Sequence, residues 1–278
     1  MFCRIASTEE PVQLYHLTLS TRRREPIARD LESRRAVLRA LARVAGRQAV
    51  LFCLVDDHLH LVVEGDRRVA GARASGLTRA LGTMVTARTD GFHIRPVEGR
   101  SHLEWLVGYV LTQTTRHGLA EHPALYEGSC FQDLVGARLL KGFQGSMLWR
   151  WLPRWTPARL CRIVDVASTR PVTDRELTRV SLDQILTAAR AALCTELSGR
   201  RPPAVRARRA AVGLATLAGF RSADAARALG CTPRAVQSLR HSPDAEAEGA
   251  VRHRIGLELA TASPSRHDER NAVPAALV

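Results

Sequence analysis

Two histidines one residue apart, His58 and His60, interrupt the apolar run VDDHLHLVVEG between Val55 and Gly65. Side chains alternate along a strand, so the two imidazoles would share one face while Leu59, Leu61 and Val63 share the other and take the core. Neighbouring imidazoles can grip a divalent cation, but two ligands alone rarely hold one. Taken by itself the pair reads rather as one histidine capping the Asp56/Asp57 turn and another half-exposed, since short motifs often mislead. A later segment supplies what is missing. Leu103, Leu106, Val107, Val110 and Leu111 form a helical apolar stripe, and Tyr109 and Gln113, four residues apart, fall together on its edge. A helix packed across the histidine face would bring Gln113 up as a third ligand and set the Tyr109 hydroxyl beside the metal. The same pattern also describes an ordinary amphipathic helix with a flanking tyrosine. Asp56 and Asp57 receive no role beyond their aptitude for a tight turn.

The elements that must position these residues alternate in type. Val12 to Ser20 reads as a strand, and Arg29 to Ala45 as a helix with Leu31, Leu38, Leu41 and Ala45 on one face. Gln48 to Val55 and Leu59 to Glu64 read as a hairpin around the two aspartates. A second helix is expected over Val69 to Arg88, a strand over Phe92 to Val97, and a helix from Ser101 to His117, capped by Ser101 and ended by Gly118. This order predicts an α+β fold with helices packed on an antiparallel sheet.

The rest of the chain differs in character. Gly136 to Pro157 holds Trp149, Trp151 and Trp155 interleaved with Arg150 and Arg154. It reads as a connector docked on the first unit, with a stacking platform for single-stranded bases as the weaker alternative. Leu182 to Leu259 is helical and alanine-rich, and Thr261 to Val278 reads as a disordered tail. The expected division is therefore an α+β domain over 1–135, a connector over 136–181, a helical domain over 182–260 and a tail over 261–278. Within RSADAARALGCTPRAVQSLRH, Arg221 to His241, a helix-turn-helix is expected, with Ala226 at the crossing, Gly230 in the turn and Leu229, Val236 and Leu239 inside. Thr232 and Pro233 suit the start of its second helix. Arg234, Gln237, Ser238 and Arg240 would then face DNA, the alternative being a plain three-helix bundle.

A formal charge of +14 over 278 residues argues for a polyanionic partner, with nucleic acid the first candidate. The basic residues are arginines apart from Lys141, a skew that a GC-rich genome would also produce. Six cysteines without a CxxC pair fit reduced, buried thiols better than a disulfide framework or zinc ribbon. No apolar run approaches the roughly 20 residues of a membrane span, and Arg4, Glu9 and Glu10 interrupt any signal-peptide core. The expected location is the cytoplasm, associated with the nucleoid.

HLH, His58 to His60, followed by YVLTQ, Tyr109 to Gln113, resembles the HUH single-tyrosine transposases, and among them the REP-associated tyrosine transposases. YHLTLSTRRREPI, Tyr15 to Ile27, is similar to the first strand and loop of that family, and YVLTQTTRHGLAEHPALY, Tyr109 to Tyr126, to the stretch in which the tyrosine helix ends at a glycine. The resemblance spans Val12 to Ala137. It implies a ferredoxin-like catalytic domain that cleaves and rejoins single-stranded DNA at hairpins through a 5′-phosphotyrosine. Tyr109 would be the nucleophile, and His58, His60 and Gln113 the ligands of Mg²⁺ or Mn²⁺. His16, Arg22, Arg23 and Arg116 lie in these stretches and are expected on the DNA face, His16 being equally readable as a packed strand residue. The Arg221–His241 segment resembles the terminal helix-turn-helix of the replication initiator DnaA. Two departures stand out: Asp56 and Asp57 replace the family's proline and asparagine, and no asparagine-proline follows Tyr109. The alternatives are a non-catalytic DNA-binding regulator derived from a transposase, and a relaxase or replication-initiation nickase. Monomer and homodimer both remain open.

Overall fold

The computed structural model describes residues 13–84 and 89–262. The protein is a mixed α+β chain. A four-stranded antiparallel sheet is formed by β1 (Gln13–Thr21), β2 (Ala49–Leu54), β3 (His58–Gly65) and β4 (Thr89–Pro96), in the order β2-β3-β1-β4. α1 (Leu31–Ala45) joins β1 to β2, and α2 (Arg67–Gly82) joins β3 to β4. Asp30 starts α1 by accepting from the Ser33 amide at 2.7 Å, while its own amide reaches the Ser33 hydroxyl at 3.1 Å. Leu31, expected in the apolar stripe, is 43% exposed because it occupies the first helical position, before the face that packs on the sheet begins. Asp66 caps α2 in the same manner, accepting from the Val69 amide at 2.6 Å. That helix ends at Gly82, and 85–88 of its expected length lie outside the described residues.

β2 is buried along its whole length, so both faces of the sheet are covered. α1 and α2 cover the Leu59/Leu61/Val63 face. The other face lies under α3 (Gly99–Leu111) and its continuation α4 (Gln113–Arg116). The expected single helix from Ser101 to His117 is thus two. It begins at Gly99, so Ser101 lies inside α3 and does not cap it. It breaks at Thr112, where side chains compete for helix carbonyls: Thr112 Oγ1 donates to Gly108 O at 2.8 Å and Gln113 Nε2 to Tyr109 O at 2.8 Å. Gly118, with φ +61°, ends α4.

Tyr126 closes this unit by donating its hydroxyl to Leu54 O at 2.8 Å. Gly128 is required beside it, since a Cβ there would lie 2.2 Å from Leu54 O. α5 (Phe131–Leu134) follows, and a buried ionic cluster ties these segments together. Arg35 clasps Glu127 through two bonds of 2.7 Å each and also reaches Glu196 at 2.6 Å. Arg138 donates to Asp133 at 2.5 Å, to Glu127 O at 2.5 Å and to Ser129 O at 2.7 Å.

Next come α6 (Ser146–Trp151) and α7 (Pro157–Ile163); their Leu148 and Leu160, with the flanking Leu152, Trp155 and Val164, belong to the core of the sheet unit. Trp149 and Trp151 are half-buried against that core, so none of the three connector tryptophans offers an open platform. A second core joins Val172, α8 (Asp174–Leu177), α9 (Leu182–Ala192) and α10 (Pro202–Leu217) to the C-terminal α13 (Ala245–Ala262). A third, small one lies beneath α11 (Ser222–Leu229) and α12 (Pro233–Arg240) and contains Val212, Ala225, Ala226 and Val236. Tail residues 263–278 and Cys3 lie outside the described residues. The other five cysteines are free, and all but Cys231 are buried. Among the described residues no helix is long and apolar enough to cross a membrane.

Candidate metal and nucleic-acid site

β3 presents His58 and His60 on one face, and the register extends that face across the sheet. Thr18 of β1 is opposite His60 and His16 is opposite Val62, while His93 and Arg95 of β4 pair with Thr18 and His16. The face that a strand would normally give to aliphatic packing is thus paved with imidazoles. α3 and α4 close over it. The His58 Nε2 atom lies 3.4 Å from Gln113 Oε1, and the His60 ring meets the Tyr109 ring edge-on at 5.2 Å between centroids. His58, His60, Tyr109 and Gln113, separated by about half a hundred residues in sequence, are brought to one place.

His60 is 3% exposed. Its Nδ1 is 3.1 Å from His16 Nε2, but its Nε2 is buried with no hydrogen-bond partner. An orphaned imidazole nitrogen in the interior costs free energy, because the group has lost water and gained nothing in return. Burial lowers the pKa of His60 to about 3, helped by the neighbouring His58, His16 and His117. His16 is lowered to about 4 by burial, then by His102 and Arg95. Both rings are therefore neutral at physiological pH, the state in which an imidazole nitrogen can accept a cation. Gln113 is 1% exposed, and its amide is oriented by the bond from Nε2 to Tyr109 O, which leaves Oε1 turned to the histidines. Two imidazoles and an amide oxygen with unspent acceptor capacity fit a divalent cation.

Asp57, unassigned in the sequence, holds the His58 ring: its Oδ1 lies 2.7 Å from His58 Nδ1. Burial raises the Asp57 carboxyl, but the hydrogen bond and charge of His58 outweigh it and hold the group below its ordinary value. A carboxylate on the far nitrogen fixes the tautomer and raises the basicity of the metal-facing one. Main-chain bonds shape the turn itself. Asp57 O accepts from the Thr21 amide at 2.9 Å and Asp56 O from the Ile27 amide at 2.6 Å, so the pair anchors the arginine loop after β1.

Two further residues escaped the sequence reading. Donor atoms of His117 lie within 4.8 Å of those of Asp57 and His58, and the His117 ring is 4.6 Å from that of His58. Trp105 stacks on Tyr109 at 5.0 Å with ring planes 15° apart. A signal for both was present: Trp105, Tyr109, Gln113 and His117 follow one another at intervals of four, so extending the Tyr109/Gln113 ridge one step each way would have found them.

The candidate DNA-facing residues are dispersed. His16 lines the cleft beside His60, and Arg116 sets its guanidinium 5.0 Å from the Tyr109 ring centre. Exposed Arg22 pairs with Asp90 at 2.9 Å; the Arg23 side chain lies outside the described residues. Arg234, Gln237 and Arg240 are exposed on α12, away from buried Val236. Gly230, at φ +62°, ends α11, and Thr232 Oγ1 accepts from the Ala235 amide at 3.2 Å to start α12.

No family model matches the chain, and no curated protein does. A solved structure, that of a REP-associated tyrosine transposase bound to a REP hairpin, is similar to it at 15% identity and a TM-score of 0.34, covering 44% of this chain and 79% of that one. A likeness that slight transfers neither fold nor activity, so the functional reading rests on the geometry of the histidine face.

Proposed function

We propose that the protein is a metal-dependent endonuclease and strand transferase acting on single-stranded DNA, with Tyr109 as nucleophile and His58, His60 and Gln113 as ligands of Mg²⁺ or Mn²⁺. The observation that carries this reading is the convergence of an orphaned, neutral His60 Nε2, the Gln113 amide oxygen and a tyrosine ring on one sheet face. The order of strands and helices, βαββαβ with β1 and β3 central, supports a ferredoxin-like catalytic unit.

A bound divalent ion would supply Lewis acidity, drawing charge from a phosphate oxygen. The chain's own groups do the rest. Tyr109 attacks phosphorus through its phenolic oxygen, forming an O–P bond as the bond to the 3′ oxygen breaks. The phenol gives up its proton and the departing 3′ oxygen takes one up, leaving a 5′-phosphotyrosine and a free 3′-hydroxyl. The bond energy is kept for rejoining, so transfer needs no nucleotide cofactor. Arg116, over the tyrosine ring, offers positive charge beside the phosphate. The net charge of +14 favours the polyanion, and α11 with α12, carrying Arg234, Gln237 and Arg240, is read as a helix-turn-helix that holds the enzyme on neighbouring duplex.

The test is covalent trapping. Wild-type protein incubated with a 5′-extended hairpin oligonucleotide and Mn²⁺ should give a protein–DNA adduct stable to denaturing gels, abolished by EDTA. Tyr109→Phe should bind the oligonucleotide within about threefold of wild type and form no adduct. An adduct persisting in Tyr109→Phe would remove Tyr109 from its role.

A further inference from the structure

Trp105 is 58% exposed, the most exposed large hydrophobic side chain among the described residues, and it lies on the ridge of α3 that carries the tyrosine. One indole face is taken up by Tyr109, in near-parallel stacking, while the residue's exposure leaves other surface open to water. Tyr109 is held in turn by Arg116, with His60 at its edge. Trp105 forms one wall of a cleft of about 360 Å³ whose floor is the histidine face of the sheet, with His93 and Arg95 from β4 and His102 from α3 on its sides. No carboxylate lines this cleft. Glu104, on the same helix, is engaged by Arg100 at 3.0 Å and by Arg159 at 3.4 Å.

These features match what an unpaired nucleotide requires. A base presents a flat apolar face that loses water gladly to an aromatic ring, and its phosphate needs a cation within reach. The cleft falls in the range of about 300–1,000 Å³ typical of small-ligand pockets. Besides Arg95 and Thr18 the lining is imidazole and aromatic rings, and an aromatic face stacks on any base. We propose that Trp105 is a stacking site for one nucleobase of an unpaired strand, of any sequence, with the adjoining phosphate directed to Arg95. Because the indole already lies on Tyr109, the stacked base is one ring away from the nucleophile. The site thereby sets which phosphate the tyrosine meets. The inference rests on the proposed action on single-stranded DNA, and deepens it by naming the residue that registers the strand.

The experiment separates binding from chemistry by using the Tyr109→Phe protein in EDTA with a fluorescein-labelled 12-nucleotide single strand. Replacing Trp105 by Leu in that background should weaken binding by about 5- to 100-fold, the range typical of one lost stacking partner. Trp105→Phe should stay within about threefold of the parent. Saturation with unlabelled strand should quench tryptophan emission in the parent and not in Trp105→Phe. Equal affinities of the Leu and parent proteins, equal losses for Phe and Leu, or emission indifferent to DNA in the parent would each overturn the stacking site. None of these outcomes depends on whether a covalent adduct forms.

Discussion

The Arg35–Glu127–Asp133–Arg138 cluster and the His16–His58–His60–Gln113 cluster both take polar side chains out of water, and they are finished differently. In the first, the four side chains leave no buried polar atom without a partner, and charges meet charges at 2.5 to 2.7 Å. In the second, a buried ring nitrogen of His60 is orphaned and the bond between His58 and Gln113 is long, at 3.4 Å. A closed cluster of this kind welds segments: it fastens α1 to the chain around Glu127 and, through Glu196, to the region after α9. An open one has capacity for something that is not protein. One unit thus holds two polar networks, one closed on itself and one left open.

Breaking the closed cluster should have the largest effect. Arg138→Leu leaves the buried Asp133 carboxylate unpaired and frees two main-chain carbonyls, and should cost about 3–5 kcal/mol in urea unfolding. A loss under about 1 kcal/mol would mean that the cluster is not what holds these segments. Opening the histidine cluster should cost far less. His60→Leu removes an orphaned polar atom and keeps the volume apolar, so at pH 7 in EDTA its stability should lie within about 1 kcal/mol of wild type while metal binding is lost.

The pH dependence should show the same contrast in smaller measure. Unfolded histidines take up protons near pH 6.5, whereas folded His60 and His16 stay neutral down to about 3 and about 4. Below pH 6.5 the unfolded chain therefore binds more protons than the folded one, and stability falls as the pH falls. Glu127 acts lower. Burial raises its carboxyl, the bonds and charge of Arg35 outweigh burial and lower it, and its contribution is present above its unfolded value and lost only as the pH falls through its folded one. Thermal melts of apo protein between pH 6.5 and 5 should thus report the histidines, with a shallower slope in His60→Leu. Parallel slopes would show that His60 is protonated in the folded state.

What the sequence made legible follows from which interactions are local. The strand alternation that puts His58 and His60 on one face, and the four-residue interval that puts Tyr109 beside Gln113, are geometric consequences of a single element. The break at Thr112 was not legible, because it depends on side chains competing for two carbonyls whose outcome no periodicity encodes. The helix start at Gly99 escaped because Ser101 has the composition of a cap without the position. The role of Asp57 became visible only when its carboxylate met the His58 ring. Trp149, Trp151 and Trp155 pack on the core, as a docked connector requires, while Trp105 stays exposed, since apolar composition alone does not say which aromatic ring the core will take.

The most direct test of the account is titration of the apo protein with Mn²⁺, followed by the loss of the free-ion electron paramagnetic resonance signal. The open histidine cluster predicts one ion held per chain, lost in His58→Ala and His60→Ala, weakened in Gln113→Ala and retained in Tyr109→Phe. No binding in the wild type, or binding indifferent to His60, would contradict the claim that this face of the sheet is a metal centre.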